Sequence, residues 1–374
     1  MYFLDEHFLA IVPAVVAAYW LAPHALRNAV LMVASVLWLG WFSLPTLAAL
    51  AGLTVFLVYP IARIAGAVRA TAPVRANRIG WVGIIGLLAI ATALRVKTTL
   101  LPDLELALPG GDQLLRWIGF SYFLLKAIHV MRGSARGLIN APRLVALVHY
   151  ALFIPTLTSG PIYRLDAFTA QLEAPKRFTW DHLQHGLLRA GRGIAKKVVV
   201  VPFFSTAVAL TWQHGASGKA PAFVLLYAML YLDFSGYCDI AIGLGQLLGF
   251  EVPENFKNPF TATTLTQFWR NWHATLGDWV RENVFIPLGG LRAKGPKLAA
   301  IVVGSMVIVG LWHAYTLTFV MWGAYHGTLM LVENWLDVKP LRLHKTTWWQ
   351  RGIRYAIVQA LVIGGMFAFL GWTS

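Results

Sequence analysis

Apolar runs close to the length of a membrane span recur from one end of the chain to the other, and this feature constrains the fold most. A transmembrane helix needs about 20 mostly apolar residues to cross the hydrocarbon core of a bilayer. Hydrophobic residues make up 58% of the 374 residues and charged residues only 13%, whereas a soluble domain usually carries about 25% charge. The chain lacks the polar surface that a soluble body needs, so we predict an all-α polytopic membrane protein.

The runs predict about 10 to 11 membrane-embedded helices, some of them short or re-entrant. In chain order they are Phe8–Leu21, Ala29–Leu44, Thr46–Ile61, Ile79–Leu94, Leu114–Val130, Leu144–Thr158, Val198–Thr211, Phe223–Phe234, Ile240–Phe250, Ala299–Trp312, Thr316–Leu336 and Ile353–Gly371. Pro155 and the Gly160–Pro161 pair interrupt the central part. Irregular backbone at membrane depth is tolerated only inside protein or beside a water-filled cavity. We therefore expect a site there, within one membrane domain over residues 1–374.

The net charge of +15 is explained by membrane topology rather than by nucleic-acid binding, because the basic residues cluster between the apolar runs. The basic loops lie at 63–78, 132–143, 292–297 and 339–354, and the acidic positions outside them are Asp5, Glu6, Asp103, Glu105 and Asp112. By the positive-inside rule, the basic loops are cytoplasmic and both termini lie outside.

A basic amphipathic helix is predicted at His185–Val201. Arg189, Arg192 and Lys196 recur at helical spacing on one face, with Lys197 beside them. Such a helix suits the cytoplasmic lipid surface.

The stretch Gln267–Asn283 predicts one continuous helix. An apolar, tryptophan-rich face is indicated by the spacing of Trp269, Trp272, His273, Leu276, Trp279 and Val280. This face is typical of an interfacial or cavity-lining helix. A lone buried histidine is more often structural than catalytic, so the residues alone favour a structural His273.

The stretch Gly310–Gly327 places His313 at the end of an apolar run. Ionisable residues at membrane depth are costly and therefore candidates for function. Burial favours the neutral imidazole, which is the form that a general base needs. Trp312 and Trp322 would shield this base from lipid. His326 follows 13 residues later, a spacing that does not put both histidines on one helix face, and we interpret it as structural.

The stretch Tyr231–Gly245 carries Asp233, Ser235, Tyr237 and Asp239 in an apolar context. Two acids there need cationic or N–H partners. Two interpretations stay open: helix packing assisted by glycines, or a supporting role at the site.

No metal or nucleotide motif is present in the sequence, and the single cysteine, Cys238, excludes an internal disulfide and a thiolate metal cluster. We predict no bound metal and no bound cofactor. From the residues alone, we infer no more than a membrane protein with buried histidines.

The motifs resemble, in order and spacing, the membrane-bound O-acyltransferase superfamily, in the branch of the alginate O-acetylation protein and the D-alanyl-lipoteichoic acid transfer protein. The matching blocks are Tyr231–Phe260, Phe268–Gly290 and Gly310–Gly327, with weaker matches at His149–Arg164 and Gly186–Val200. The resemblance implies a helical bundle around a transmembrane tunnel, with N-terminal spans in 1–145, a catalytic core in 149–327 and a C-terminal span in 328–374. It implies that His313 is catalytic and that His273 is the second characteristic histidine. The resemblance thus favours a functional His273.

The implied reaction is transfer of an acyl group, in our expectation acetyl, from a cytoplasmic thioester to a hydroxyl. The expected donor is acetyl-CoA or an acylated phosphopantetheine carrier, used as a substrate. Candidate oxyanion donors are Trp312, Trp272, the second histidine, Asn271 and a freed backbone N–H. The expected setting is a bacterial inner membrane. There a periplasmic or other extracytoplasmic protein would accept the acyl group and pass it to a polysaccharide.

Two departures from the family pattern bear on the acceptor side. Ala314 follows His313, where this branch commonly has glycine, and the chain ends one span after the last motif. We expect acceptor contacts to be missing there or arranged differently.

Two alternatives come from other functional classes. In a proton-coupled transporter, the intramembrane histidines and carboxylates would form a proton relay, although no inverted repeat is visible in the sequence. A non-catalytic membrane subunit of a polysaccharide secretion complex would need neither histidine for chemistry.

Overall fold

The computed structural model describes residues 6–100, 119–140, 142–174, 176–341 and 346–370. Within these ranges the regular structure is helical, and the one β-bridge joins Phe256 to Trp272. Several sequence predictions fall on other residues, namely those for Asp5, for the acidic loop with Asp103, Glu105 and Asp112, and for the start of the run Leu114–Val130. They lie outside the described residues.

The described residues form a series of α-helices. They are α1 Glu6–Leu21, α2 Arg27–Leu53, α3 Tyr59–Val68, α4 Pro73–Leu100, α5 Phe120–Arg136, α6 Leu144–Leu152, α7 Leu165–Glu173, α8 Trp180–Ala195, α9 Val201–Trp212, α10 Ala216–Leu247, α11 Leu265–Asn271, α12 Ala274–Val280, α13 Gly295–His313, α14 Leu317–Trp335 and α15 Trp348–Leu370. Single π-helical turns continue α2 into α3 and α8 into α9.

Six helical stretches among the described residues are long and apolar enough to cross a membrane. They are His24–Val68, Pro73–Leu94, Trp180–Trp212, Ser217–Leu247, Gly295–His313 and Trp348–Phe369. The prediction of an all-helical, multi-pass membrane protein is confirmed. The total of 10 to 11 embedded helices and the tunnel stay predictions.

The two predicted runs Ala29–Leu44 and Thr46–Ile61 lie in one long helical stretch that changes direction at Ser43. The backbone of Ser43 leaves the helical region, with φ −164° and ψ 93°. Its hydroxyl accepts a hydrogen bond from the Thr46 backbone N–H at 3.2 Å, which is the geometry of a helix N-cap. A new helix therefore begins here, and Pro45 fits its first turn because that position needs no N–H.

The predicted separation of Phe223–Phe234 from Ile240–Phe250 is wrong. The run Phe223–Phe234 and the larger part of Ile240–Phe250 belong to α10, a single helix of 32 residues that ends at Leu247. The polar residues between them remain helical because neighbouring cations neutralise their carboxylates. Arg189 donates to Asp239 at 2.6 Å, and Lys197 donates to Asp233.

The predicted basic helix His185–Val201 is helical, and its position at the lipid surface stays a prediction. It is part of the stretch Trp180–Trp212, which has the length and composition of a membrane span. Three of its basic side chains bond to α10. Arg189 donates to Asp239, Lys196 donates to Ser235 at 3.1 Å, and Lys197 is almost wholly buried beside Asp233, whereas Arg192 is exposed.

The chain folds into two compact units. Unit 1 comprises Met1–Gly191 and Asp239–Pro253, and unit 2 comprises Arg192–Cys238 and Glu254–Ser374. Unit 1 has an aromatic core in which Phe153 and Phe168 pack against Phe250, with ring centroids 5.0 and 5.7 Å from it. Unit 2 has a core built from α10, α11 and α15. The prediction of one membrane domain stays a prediction.

Candidate active site

The predicted continuous helix over Gln267–Asn283 is broken at its centre, within unit 2. Helix α11 ends at Asn271 and α12 begins at Ala274. Trp272 between them is extended, and His273 has φ 46° and ψ 50°, in the left-handed region. Non-glycine residues are uncommon in that region, and such conformations cluster at functional sites. The tryptophan face therefore turns sharply at the candidate histidine.

A neighbouring strand-like segment holds this break in place. The Lys257 backbone N–H donates to the Asn271 carbonyl at 2.9 Å, and the Ala274 N–H donates to the Asn255 carbonyl at 2.8 Å. These two bonds satisfy a carbonyl at the end of α11 and an N–H at the start of α12. Such groups have no hydrogen-bond partner within their own helix. Residues 255–257 thus replace the helical bonds that the break removes.

His273 is anchored by the side chain of Asn255. Its Nδ1 lies 3.0 Å from Asn255 Oδ1, and its ring is 4% exposed. Burial, together with the nearby His313 ring, lowers the pKa of His273 to about 3. The imidazole is therefore neutral at physiological pH.

His313 lies at the last residue of α13, where a close helix pair positions it. A Cβ at Gly310 would lie 2.1 Å from the Phe319 carbonyl oxygen, and one at Gly323 would lie 2.4 Å from the Met306 carbonyl oxygen. Only glycine permits this approach of α13 and α14. The Thr316 hydroxyl accepts from the Phe319 N–H at 3.4 Å and caps α14, which sets the turn after His313.

Aromatic rings flank His313 as predicted, but its ring is not buried within the protein. The Trp312 ring centroid lies 4.8 Å away, that of Phe319 5.9 Å and that of Trp322 6.1 Å. The residue is exposed, which corrects the expectation of a buried imidazole. The physical reason is that α13 ends there, so the last turn opens onto a cavity.

One cavity of about 950 Å³ is lined by both histidines. It lies entirely within unit 2, and Trp269, Asn271 and Trp272 line it as well. One face of α13 contributes Leu298, Val302, Ser305, Met306, Val309 and His313. From Leu298 to His313 the helix advances about 22 Å at about 1.5 Å per residue. The cavity therefore follows α13 over most of its length.

The charged groups that line the cavity are mostly cationic. Lys257, Arg270 and Arg281 contribute positive charge, against the single carboxylate of Asp278. Asp278 is itself 3.7 Å from Arg281. The described part of the cavity therefore favours an anionic group.

Trp312 contacts both histidines, with its ring centroid 5.9 Å from that of His273. Trp312 itself does not line the cavity, and neither do four further residues of the predicted site. Asp233 pairs with Lys197, Ser235 accepts from Lys196, Tyr237 lies under the Lys197 ammonium group, and Asp239 pairs with Arg189. The expected cationic partners of the two acids are confirmed, and a supporting role for these four residues stays a prediction.

The glycines of α10 serve close helix packing, as the alternative interpretation of that stretch proposed. A Cβ at Gly236 would lie 3.1 Å from the Gly193 carbonyl oxygen, and one at Gly243 would lie 2.5 Å from the Ala190 nitrogen.

His326 is fully buried and does not line the cavity with the other two histidines. Its ring packs edge-on against Trp269, Trp322 and Tyr325, with centroid distances of 4.8 to 5.0 Å. Its interpretation as structural stays a prediction.

Sequence reasoning missed Asn255. This residue is 0% exposed, and besides His273 it bonds Thr275 and Cys238. A usable signal was available, because a polar amide between Pro253 and Pro259 lies in a segment that cannot be a regular helix. If this amide is buried, it needs hydrogen-bond partners from other parts of the chain.

Comparison with known proteins supports this arrangement of motifs. A sequence model of the membrane-bound O-acyltransferase family matches residues 79–370. A probable alginate O-acetylase of Pseudomonas putida is 32% identical over 274 residues, which cover 68% of this chain and 56% of that protein. A peptidoglycan O-acetyltransferase of Helicobacter pylori is 32% identical over 227 residues, covering 56% of this chain and 42% of that one.

A teichoic acid D-alanyltransferase of Streptococcus thermophilus is 28% identical over 263 residues, covering 64% of this chain and 62% of that protein. The chain spans about half the length of the alginate-type relatives that it matches. The resemblance inferred from the motifs is confirmed at the level of the family.

Proposed function

This chain belongs to the membrane-bound O-acyltransferase family, and we propose that it transfers an acyl group, in our expectation acetyl, from a cytoplasmic thioester to a hydroxyl acceptor on the other side of the membrane. The observation that carries this proposal is the cavity that both histidines line. The part of α13 that lines it is about 22 Å long and has His313 as its last residue. The hydrocarbon core of a bilayer is about 30 Å thick. A donor entering at one end of such a cavity reaches a base at the other end.

His313 is the proposed general base. Its ring is open to the cavity, so an acceptor hydroxyl can approach it. As the hydroxyl oxygen attacks the thioester carbonyl, His313 takes the hydroxyl proton, and the new ester C–O bond forms. When the C–S bond breaks, the leaving thiolate takes that proton from the imidazolium. A positioned base of this kind contributes about 10² to 10⁴ in rate.

The tetrahedral intermediate needs hydrogen-bond donors for its oxyanion. Asn271 and Trp272 line the cavity, and Trp312 adjoins both histidines. Their amide and indole N–H groups are the proposed donors. The aromatic surroundings of the cavity exclude water that would otherwise hydrolyse the thioester.

The proposed donor is acetyl-CoA or an acylated phosphopantetheine carrier. Both carry phosphate, and the cations Lys257, Arg270 and Arg281 along the cavity supply the complementary charge. The donor is consumed as a substrate, so the proposal requires no resident cofactor.

The proposed acceptor is a cell-surface or exported polymer, reached through an extracytoplasmic acyl-accepting protein. The relatives' names specify alginate, peptidoglycan and teichoic acid, which are different polymers outside the cytoplasm. For this chain we propose a polysaccharide acceptor, a bacterial inner membrane and an N-terminus on the outside.

The first prediction concerns His313. The purified chain in detergent or nanodiscs is incubated with radiolabelled acetyl-CoA, and thioester hydrolysis or transfer to a hydroxyl acceptor is measured. We expect His313→Ala to lower this activity by about 10² or more while it keeps the elution profile and thermal stability of the wild type.

His185→Ala is the matched control, because His185 is an exposed histidine in unit 1 whose partner is Asp181. It should retain full activity. A fully active His313→Ala protein would refute the assignment of the base. Proton-coupled solute flux in liposomes without thioester consumption would instead favour a transporter.

A further inference from the structure

Asn255 is the centre of a buried hydrogen-bond cluster beneath His273. Its Oδ1 atom lies 3.0 Å from His273 Nδ1, 2.8 Å from Thr275 Oγ1 and 3.3 Å from the Thr275 backbone nitrogen. Its Nδ2 donates to Cys238 Sγ at 3.4 Å. All four residues are buried, so each polar group must find its partner inside the protein.

The backbone of Thr275 fixes which way the Asn255 amide points. A side-chain amide has an oxygen that accepts and an NH₂ group that donates, and the two are easily exchanged in a structure. A backbone N–H can only donate. The atom of Asn255 that faces the Thr275 N–H must therefore be the oxygen, because the reverse orientation would bring two donors together.

The same oxygen faces His273 Nδ1, so Nδ1 must carry a proton. In a neutral imidazole only one nitrogen is protonated, and the hydrogen bond made by one nitrogen decides the state of the other. The lone pair of His273 is therefore on Nε2.

We propose that Asn255 is a positioning residue that fixes His273 as its Nδ1–H tautomer. In this form Nε2 of His273 accepts a hydrogen bond and does not donate one. His273 then orients a donor, such as the acceptor hydroxyl in the proposed acyl transfer. Because Nε2 carries no proton and the Nδ1–H is bonded to Asn255, the ring has no N–H left for an oxyanion, which removes the second histidine from the candidate oxyanion donors.

The surrounding backbone supports this role. The Ala274 N–H donates to the Asn255 carbonyl at 2.8 Å, so Asn255 holds the main chain on the C-terminal side of His273 as well as its ring. One residue thereby sets both the left-handed backbone at His273 and the direction of its imidazole.

The decisive measurement is ¹⁵N NMR of the full chain with ¹⁵N-labelled histidine in nanodiscs at neutral pH. The His273 signals are assigned by their loss in His273→Gln. We expect a protonated Nδ1 and an unprotonated Nε2 in the wild type. In Asn255→Leu, which keeps the approximate volume and removes the acceptor, we expect the Nε2–H form to appear. A protonated Nε2 in the wild type would overturn the proposal, whatever the chain catalyses.

Thr275→Val is the matched control, because it removes one hydrogen bond to the same oxygen but keeps the backbone N–H that orients the amide. It should retain the wild-type tautomer and lose only some thermal stability. If Thr275→Val and Asn255→Leu change the His273 signals equally, Asn255 acts through general packing and the positioning role is wrong.

Activity provides an independent readout, which rests on the proposed function. We expect Asn255→Leu to lower kcat per folded molecule by about tenfold or more at every pH. Asn255→Asp keeps the acceptor oxygen, but its carboxylate favours the imidazolium and raises the pKa of His273. Below that raised pKa, Nε2 is protonated, so Asn255→Asp should be active at high pH and lose activity as the pH falls.

The other charged groups along the cavity are Lys257, Arg270, Asp278 and Arg281, and His313 is a further titratable group there. They are unchanged in these variants, so a difference between the pH profiles reports on position 255. If Asn255→Leu is as active as the wild type, the positioning role fails. If the wild type transfers no acyl group, the proposed function fails, and the NMR result still decides the tautomer.

Discussion

At the scale of single residues, the two carboxylates of α10 differ from ordinary surface acids because each has a cationic partner from the preceding helical stretch Trp180–Trp212. Asp233 pairs with Lys197, whose side chain is 4% exposed, whereas the Asp233 side chain is 43% exposed. The carboxylate is therefore partly open to the surroundings of the protein, whereas the ammonium group is enclosed. Removing a partner from a buried charge is costly, because the remaining ion is left without compensation.

This difference in exposure predicts an unequal effect of the two single substitutions. Asp233→Asn leaves a buried cation and should lower the thermal stability more than Lys197→Met, which leaves a carboxylate that is only partly buried. In the double variant the two effects should not add, and the protein should be more stable than Asp233→Asn alone. Thermal unfolding of all four proteins in detergent measures the cycle. Equal losses for both single variants would contradict this account.

The same cycle tests the proposed supporting role of Asp233. Asp233 does not line the cavity with the histidines, so activity per folded molecule should change by no more than about twofold. A larger loss of activity in a stable Asp233→Asn protein would show that the carboxylate serves the site from a distance.

At the scale of elements, the short helix α11 depends on a carboxylate from α14. Glu333 accepts from the Leu265 and Thr266 backbone N–H groups at 2.6 and 3.0 Å, and from the Thr266 hydroxyl at 3.2 Å. These are orphan donors of the first turn, where a negative charge also complements the helix dipole. Because Trp272 and His273 directly follow α11, the cap helps to fix the position of these two site residues.

Glu333→Gln should therefore destabilise the protein, by about 1 to 3 kcal/mol, because an amide offers one acceptor oxygen where the carboxylate offers two. Asp337→Asn is the matched control. It also changes an acid to an amide, but Asp337 is 77% exposed and pairs with Lys339 at the surface, where a pair contributes about 0 to 1 kcal/mol. Thermal unfolding compares the two, and equal shifts in Tm would show that the cap is dispensable.

The elements also show what the sequence can and cannot predict. Helical periodicity and apolar length predicted the ends of α13 and α14 to within a few residues, since both follow from local patterns. The break at His273 was missed because the face through Trp269, Trp272 and Leu276 is fully compatible with a helix. A non-local segment, residues 255–257, provides the bonds that make the break favourable. The continuity of α10 was missed for the same reason, because the cations that neutralise its acids lie 36 and 50 residues earlier.

At the scale of the whole molecule, the proposed reaction makes a prediction about the direction of α13, because this direction would decide from which side each substrate arrives. Its 19 residues give a length of about 28 Å, close to the thickness of the hydrocarbon core. Arg292, Lys294 and Lys297 lie at its start, and His313 lies at its end. The positive-inside rule therefore assigns the start of α13 to the cytoplasm and His313 to the outer side.

Cysteine labelling tests this direction on the two exposed residues that flank α13, Lys294 and Tyr315. We expect a membrane-impermeant maleimide to label Tyr315→Cys in intact spheroplasts and Lys294→Cys only in inside-out vesicles. The wild type measures the background, because its single cysteine, Cys238, is 2% exposed. Labelling of both positions from one side would mean that α13 does not cross the membrane, and the cavity along it could not then join a cytoplasmic donor to an external acceptor. If Lys294→Cys were labelled from outside and Tyr315→Cys from the cytoplasm, α13 would still cross the membrane, but its His313 end would face the cytoplasm. The donor and the acceptor would then approach the cavity from the opposite ends to those proposed.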